Sequence, residues 1–315
     1  MPELSKLLLG KQAKELGFVR DTYEKVCRLT EILKFFEDDN VLGKSLALKG
    51  GTAINLTILN LPRLSVDIDL DFSENVGRDE MLAAKSIIRD RIEKYMRADG
   101  YSLSPKSKQY HALDSYVYEY INSGGMKDNI KVEINYMLRC HVLEIGQRHF
   151  ESTWQPAGVS VLSVDPVEIF GSKIVALMNR TAPRDLYDIH NLVRLGLFDE
   201  SQKQLLRKCV VFYSAIGAES PPLEFQTGTV DLVTQMRIKT DLYPVLRNKD
   251  NFDLKTAQVE VKTWLNDLLK LENNEKEFLN AFRKKTYQPD LLFGSHEILE
   301  RIQNHPMALW KCSQR

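Results

Sequence analysis

Two acids, Asp67 and Asp69, stand one residue apart in Val66-Asp67-Ile68-Asp69-Leu70, where apolar and acidic residues alternate. A period of two is the period of a β-strand. Both carboxylates then project from one face, their Cα atoms about 7 Å apart, while Val66, Ile68 and Leu70 enter the core. Carboxylates so placed can share divalent cations, and hard ions such as Mg2+ take carboxylate oxygen while keeping positions for water and phosphate. Two such ions activate an attacking oxygen and stabilise the leaving oxygen of an in-line displacement. Read in isolation, Asp-x-Asp is also the wet face of an ordinary strand. Asp71 is a further acid on that face, expected at its rim.

A second feature lies one short helix upstream, in Leu48-Lys49-Gly50-Gly51-Thr52-Ala53-Ile54. Ser45 to Lys49 reads as a buried strand, Gly50-Gly51 as a tight turn, and Ala53 to Leu59 as a short helix ended near Asn60 and Pro62. Glycine lets the backbone come close to a phosphate, the free N–H groups of a helix start attract anions, and Thr52 adds a hydroxyl donor. Alone, Gly-Gly-Thr is an ordinary turn. A phosphate-cradling turn just ahead of a paired-carboxylate strand is a much rarer combination.

The elements that must position these residues fall into two regions. Apolar residues at helical spacing predict helices over 19–38 and 81–96. Strands are expected over 66–72, 110–121 and 130–138, the last two as a hairpin across Ser123-Gly124-Gly125, with a short strand at 159–162. From Asp165 the pattern turns helical. Asp165-Pro166-Val167-Glu168 is a helix start, with Asp as N-cap, Pro in the first turn and Glu at the third position. Helices follow at 166–180, 184–195, 201–216, 257–272 and 275–285, and 217–229 is a loop around Pro221-Pro222. The expected division is an α+β region, 1–164, and a helical region, 165–315.

Composition narrows the setting. With 315 residues, 43% apolar and 27% charged, the chain is globular and holds one large or two ordinary domains. Lys+Arg and Asp+Glu both number 43, so the formal charge is zero and a general nucleic-acid coat is disfavoured. A local basic groove around Lys106, Lys108, Arg139 and Arg283 stays open. Four scattered cysteines without a CxxC pair argue against disulfide scaffolding and zinc ribbons. The run Leu7-Leu8-Leu9 is too short for a secretion signal, and no stretch has the length of a membrane span, so a cytoplasmic setting is expected. GxSxG, HExxH and Walker A sequences are absent, which disfavours serine hydrolysis, zinc proteolysis and P-loop chemistry. Arg139-Cys140-His141 lacks further ligands at metal spacing, and His190 reads as helix packing.

Gly50-Gly51-Thr52 followed by Arg63-x-Ser65-x-Asp67-Ile68-Asp69-Leu70 resembles the opening motif of the nucleotidyltransferase superfamily, and more closely the AbiEii/AbiGii (MenT-like) toxin family. There the usual wording is Lys-Gly-Gly-Thr-Ala, then Arg-Phe-Ser-x-Asp-Ile-Asp-Leu; this chain has Leu64 in place of the aromatic. The resemblance implies a third carboxylate on a neighbouring strand, and Glu133 in Ile130-Lys131-Val132-Glu133-Ile134 fits, although a surface strand Glu has the same pattern. A second stretch, Glu168 to Arg180 with Lys173 between, followed by Arg184-Asp185-Leu186-Tyr187-Asp188, is similar to later motifs of the family. Lys173 and Arg180 share one helix face, Asp185 and Asp188 another. Lys173 and Arg180 would contact the triphosphate, with Asp188 orienting Lys173 or binding base or sugar. The competing reading is a buried salt-bridge cluster.

The resemblance implies a polymerase-β-like mixed-sheet core with a C-terminal helical domain that brings Lys and Asp motifs to the cleft. Mg2+, in a two-metal site, would bind Asp67, Asp69 and Glu133, while Gly50, Gly51 and Thr52 hold the β- and γ-phosphates. The implied reaction transfers a nucleoside monophosphate from an NTP, with GTP and CTP among the candidates. The implied acceptor is RNA, foremost the tRNA 3′ end. The implied role is the toxin of a toxin–antitoxin pair in abortive infection and phage defence, with a cognate antitoxin. Two alternatives stand beside it: transfer to a protein or small molecule, and a module that holds nucleotide without turnover.

Overall fold

The computed structural model describes residues 6–150 and 159–314. Residues 1–5 of the N-terminal run lie outside the described residues; Lys6–Leu16 forms a helix, α1. The chain divides into two compact units. One comprises Met1–Arg139, Ile145–Val164 and Pro244–Asp250, the other Cys140–Glu144, Asp165–Tyr243 and Asn251–Arg315.

The first unit is built on a mixed sheet. Its strands are β1 (Leu46–Lys49), β2 (Asp67–Phe72), β3 (Ser102–Leu103), β4 (Lys108–Gln109), β5 (Leu113–Ile121), β6 (Lys127–Asn135), β7 (Gly146–His149) and β8 (Ser160–Ser163). They lie in the order β3-β5-β6-β2-β1-β8-β7, with β4 beside β5. β2 runs parallel to β6 and antiparallel to β1, and β1 runs parallel to β8.

Period-two alternation gives the central strands two unlike faces. Ile68 and Leu70 of β2, Val132 and Ile134 of β6, and Tyr116 and Tyr118 of β5 are buried on one of them. Helix α2 (Arg20–Asp38) buries Val26, Leu29, Ile32 and Leu33, and α3 (Arg78–Ala98) buries Met81, Ile88, Ile92 and Met96. Phe35 and Tyr95 stack between these helices with ring centroids 3.6 Å apart. Lys85 of α3 reaches the buried Asp114 of β5 at 2.9 Å and lies over the Tyr136 ring, so α3 covers the apolar face. The opposite face carries Asp67, Asp69, Lys131 and Glu133.

Several boundaries differ from the sequence expectation. β6 ends at Asn135 rather than 138, because the Asn135 side chain accepts the N–H groups of Met137 and Leu138 at 2.9 and 3.0 Å. The helix after β1 starts at Gly50, not Ala53, and its last turn, Ile54–Ile58, is π-helical. β3, β4 and β7 were not anticipated; they are short and lack apolar alternation.

The second unit is helical: α4 (Pro166–Arg180), α5 (Pro183–Leu195), α6 (Glu200–Gly217), α7 (Leu254–Leu268), α8 (Asn273–Arg283), α9 (His296–Ile302) and α10 (Pro306–Ser313), with shorter turns between. Asp165 caps α4 by accepting the Val167 N–H at 2.8 Å, which satisfies one of the donors left over at a helix start. Glu168 does not act as the cap partner its position suggested. Its buried carboxylate accepts the N–H groups of Val142 and Leu143 at 3.1 and 2.8 Å and the Tyr213 hydroxyl, beside His141. It thereby fixes the segment Cys140–Glu144 in the helical unit. Burial alone would raise the Glu168 carboxyl; His141, Tyr213 and the Leu143 N–H outweigh it and hold the group below its ordinary range. His190 packs against Phe252 and meets Glu260 at 2.7 Å.

Candidate functional site

The parallel register of β2 and β6 sets the acids. Asp69 is directly beside Glu133, and Asp67 beside Lys131. Because side chains alternate, all four project from the face left uncovered by α3. Asp67, Asp69 and Glu133 are half-buried there. Glu133 is turned toward Lys131, whose Nζ stands 2.9 Å from its Oε2. On the other side of β2, Lys49 is the register partner of Asp69. Its ammonium meets Asp71 at 2.5 Å. Asp71 is 4% exposed, so it is an enclosed ion-pair partner and not the rim acid expected from sequence.

The glycines are required by this geometry. Gly50 has φ +67°, a region side chains resist, and a Cβ on it would stand 2.6 Å from Asp69 Oδ2. A Cβ on Gly51 would stand 2.9 Å from both Arg63 Nη2 and Ser65 Oγ. The turn is therefore pressed against the side chains of the acid strand and its approach. Thr52 is buried and donates its hydroxyl to the Asp67 carbonyl, tying the turn to β2. That hydroxyl is directed to the backbone in this structure.

Arg63 is 2% exposed, and its guanidinium donates to the Leu64 carbonyl at 2.9 Å. The approach to β2 is clamped by the returning segment Pro244–Asp250. Leu64 N–H donates to the Val245 carbonyl at 2.8 Å, and Arg247 donates to the Leu61 carbonyl at 3.2 Å. Leu61 itself is left-handed, with φ +47°, a conformation that costs an L-residue about 1 kcal/mol. Sequence reasoning missed this clamp, since 244–250 is nearly two hundred residues away and has no periodic signal.

Oxygen donors of this kind suit a hard divalent cation. Among the described residues, no three His, Cys, Asp or Glu side chains are gathered into a closed metal cage. The expected triad of Asp67, Asp69 and Glu133 is thus on one face but not drawn together, and Lys131 holds the third member. Magnesium ordinarily takes one or two carboxylates and completes its shell with water and phosphate. Asp67 and Asp69 beside a glycine turn fit that requirement.

In the helical unit, Lys173 lies between two carboxylates, 3.1 Å from Asp185 Oδ1 and 3.2 Å from Asp188 Oδ2. All three are buried. Arg180 donates twice to Asp185, at 2.7 and 2.9 Å, from a largely exposed side chain. Burial would raise the Asp185 carboxyl; Lys173 and Arg180 outweigh it and hold the group below its ordinary range. Proline opens α4 and α5, and Thr181 at φ +49° joins them, so Asp185 folds back to Lys173. Of the basic residues expected to line a groove, Arg139 is buried and donates to the carbonyls of Val76 and Tyr136 at 3.0 and 3.1 Å. Lys106, Lys108 and Arg283 are exposed. The four cysteines are free thiols. Among the described residues no helix is long and apolar enough to cross a membrane.

A glycine turn set against paired carboxylates in a mixed sheet, joined in the chain to a helical unit, is the arrangement of a nucleotidyltransferase. The family profile for the nucleotidyl transferase AbiEii toxin, type IV TA system, matches residues 34–284. The chain belongs to this family of nucleotidyltransferase toxins of type IV toxin–antitoxin systems. Among solved structures it is similar in fold to MenT4, a nucleotidyltransferase toxin from Mycobacterium tuberculosis H37Rv. The TM-score is 0.66 at 14% identity, covering 97% of this chain and 99% of the other. No curated protein sequence matches.

Proposed function

We propose that this toxin transfers a nucleoside monophosphate from an NTP to the 3′ end of an RNA, foremost tRNA, and releases pyrophosphate. Growth arrest by this reaction serves abortive infection and phage defence, opposed by a cognate antitoxin. What supports the reading most is the convergence of Gly50 on the Asp69 carboxylate, with Asp67 on the same face. Glycine at Gly50 and Gly51 leaves the backbone open to the β- and γ-phosphates, and Thr52 holds that turn in place through its hydroxyl. Asp67 and Asp69 bind the cation, with Glu133 joining them. Mg2+ held by these carboxylates would supply charge neutralisation and would lower the cost of forming the attacking oxygen. Lys173 stabilises phosphate charge, Arg180 adds a second cation, and Asp188 orients Lys173.

A protein or small-molecule acceptor is the reading that the zero formal charge favours, because RNA enzymes usually present a basic surface. The burial of Arg139 removes one cation from the expected groove. The test is incubation of the purified chain with each α-labelled NTP, Mg2+ and a toxin-free cell extract that holds total RNA, protein and small molecules, followed by fractionation. Label in tRNA is the expected result. Label in protein selects the alternative acceptor, and no label in any fraction leaves a nucleotide-binding module without turnover.

A further inference from the structure

Lys131 stands within the acidic face yet has no part in the proposed reaction. It is the register partner of Asp67 and two residues from Glu133, so it projects from the same face between two carboxylates. Its ammonium contacts Glu133 at 2.9 Å, and both side chains are part-exposed, at 39% and 28%. An ion pair with that exposure contributes little to folding. Its effect on the local charge is larger, because it cancels one of the negative charges that a cation would meet.

A second lysine of this face behaves differently. Lys49 pairs with Asp71, which is enclosed at 5% side-chain exposure. Removing one partner of an enclosed pair leaves a stranded charge, so Lys49 is fixed. Lys131 and its partner keep access to water, so their contact can open at small cost.

We infer that Lys131 is a positioning residue that holds Glu133 until a divalent cation replaces its ammonium as the counter-charge, and so sets how tightly the face takes a cation. The inference rests on the reading of Asp67 and Asp69 as cation ligands. A dication gains more from three carboxylates than a single ammonium does. Loading of the cation therefore releases Glu133 from Lys131 and swings it toward Asp69, its neighbour in register. Without a cation, Lys131 keeps the acids from repelling one another across β2 and β6.

The test is calorimetric titration of the full chain with Mn2+ in the absence of nucleotide. Lys131→Gln should bind Mn2+ about three- to tenfold more tightly than the wild type, the size expected for loss of one part-exposed opposing charge. Lys131→Arg keeps the charge and should stay near the wild type. The gain should be smaller on a Glu133→Gln background, where no third carboxylate is left to release and only the opposing charge is removed. Thermal melting of each variant reports on a merely structural role, which would shift melting without tightening Mn2+. If Lys131→Gln binds no more tightly, while Asp67→Asn and Asp69→Asn abolish binding, the inference about Lys131 is overturned and the metal reading stands. If Asp67→Asn and Asp69→Asn leave Mn2+ binding intact, both are overturned.

Discussion

The two charged clusters of this toxin use similar residues to opposite ends. In the sheet unit, Asp67, Asp69 and Glu133 are half-buried and keep contact with solvent, and Glu133 is paired with Lys131 of the same face. In the helical unit, Lys173 is enclosed with Asp185 and Asp188, and Arg180 closes the set. Water access lets the first cluster exchange partners at small cost. Enclosure makes the second a framework in which each charge depends on the others. Strand register produces the first; the proline-opened helix hairpin produces the second. Position along the fold, rather than residue type, decides which carboxylates are available for chemistry.

The strongest way to sharpen this contrast is Lys173→Met. It removes the ammonium shared by two buried carboxylates, leaving Asp185 to Arg180, and should cost roughly 3–5 kcal/mol of stability, the usual result of breaking an enclosed pair. Nucleotide transfer at a temperature where the variant stays folded should also fall, if Lys173 carries phosphate charge as proposed. Melting and transfer measured side by side separate the two effects. A variant that melts early yet turns over normally when folded would reduce Lys173 to framework.

Gly50→Ala comes next. The new Cβ would meet the Asp69 carboxylate, at a backbone angle that alanine resists. Strain of this kind costs about 1–3 kcal/mol, and displacement of a reacting group by an ångström costs transfer roughly 100-fold. Gly100 is a control, since it has φ +83° but nothing within 4 Å of its Cβ position. Gly100→Ala should lose stability alone, and equal loss of transfer in both would break the link between the turn and the acids.

The smallest effect is in acid. Asp185 and Glu168 both titrate below their ordinary values in the folded chain. As pH falls, the unfolded chain takes up these protons first. The stability they contribute is complete above the ordinary carboxylate range and is lost as pH falls through the folded values. Denaturant titrations from pH 6 downward should therefore show a shallower loss for Asp185→Asn than for the wild type, from a lower starting stability. An unchanged slope would contradict the assigned depression.

Much of the site was legible because its chemistry is local in sequence. The alternation Val66 to Leu70 marks a strand with two acids on one face, and the glycine pair marks a turn. Asp165-Pro166 marks the start of the helical unit. What stayed hidden depends on distant partners. Asp71 has the same alternation as Asp69, yet it is enclosed and paired with Lys49. Glu168 has the spacing of a helix cap, yet it serves a segment 25 residues earlier. Arg139 resembles a groove cation until its carbonyl partners are known. β7 is a polar strand beside β8, and no period-two pattern of apolar residues announces it. The segment 244–250 carries no pattern that assigns it to the sheet unit.

The central claim is that Asp67 and Asp69 make this chain a transferase. The direct measurement is label transfer from α-labelled NTP by the wild type, Asp67→Asn and Asp69→Asn, each with its melting temperature. Both side chains are half-buried at the sheet face and keep contact with solvent, so both variants should fold and melt close to the wild type. Transfer should fall by roughly 1,000-fold or more, as expected when a metal ligand that stabilises the transition state is lost. Folded variants that transfer within about tenfold of the wild type, a difference worth only ~1.4 kcal/mol of barrier, would contradict the account.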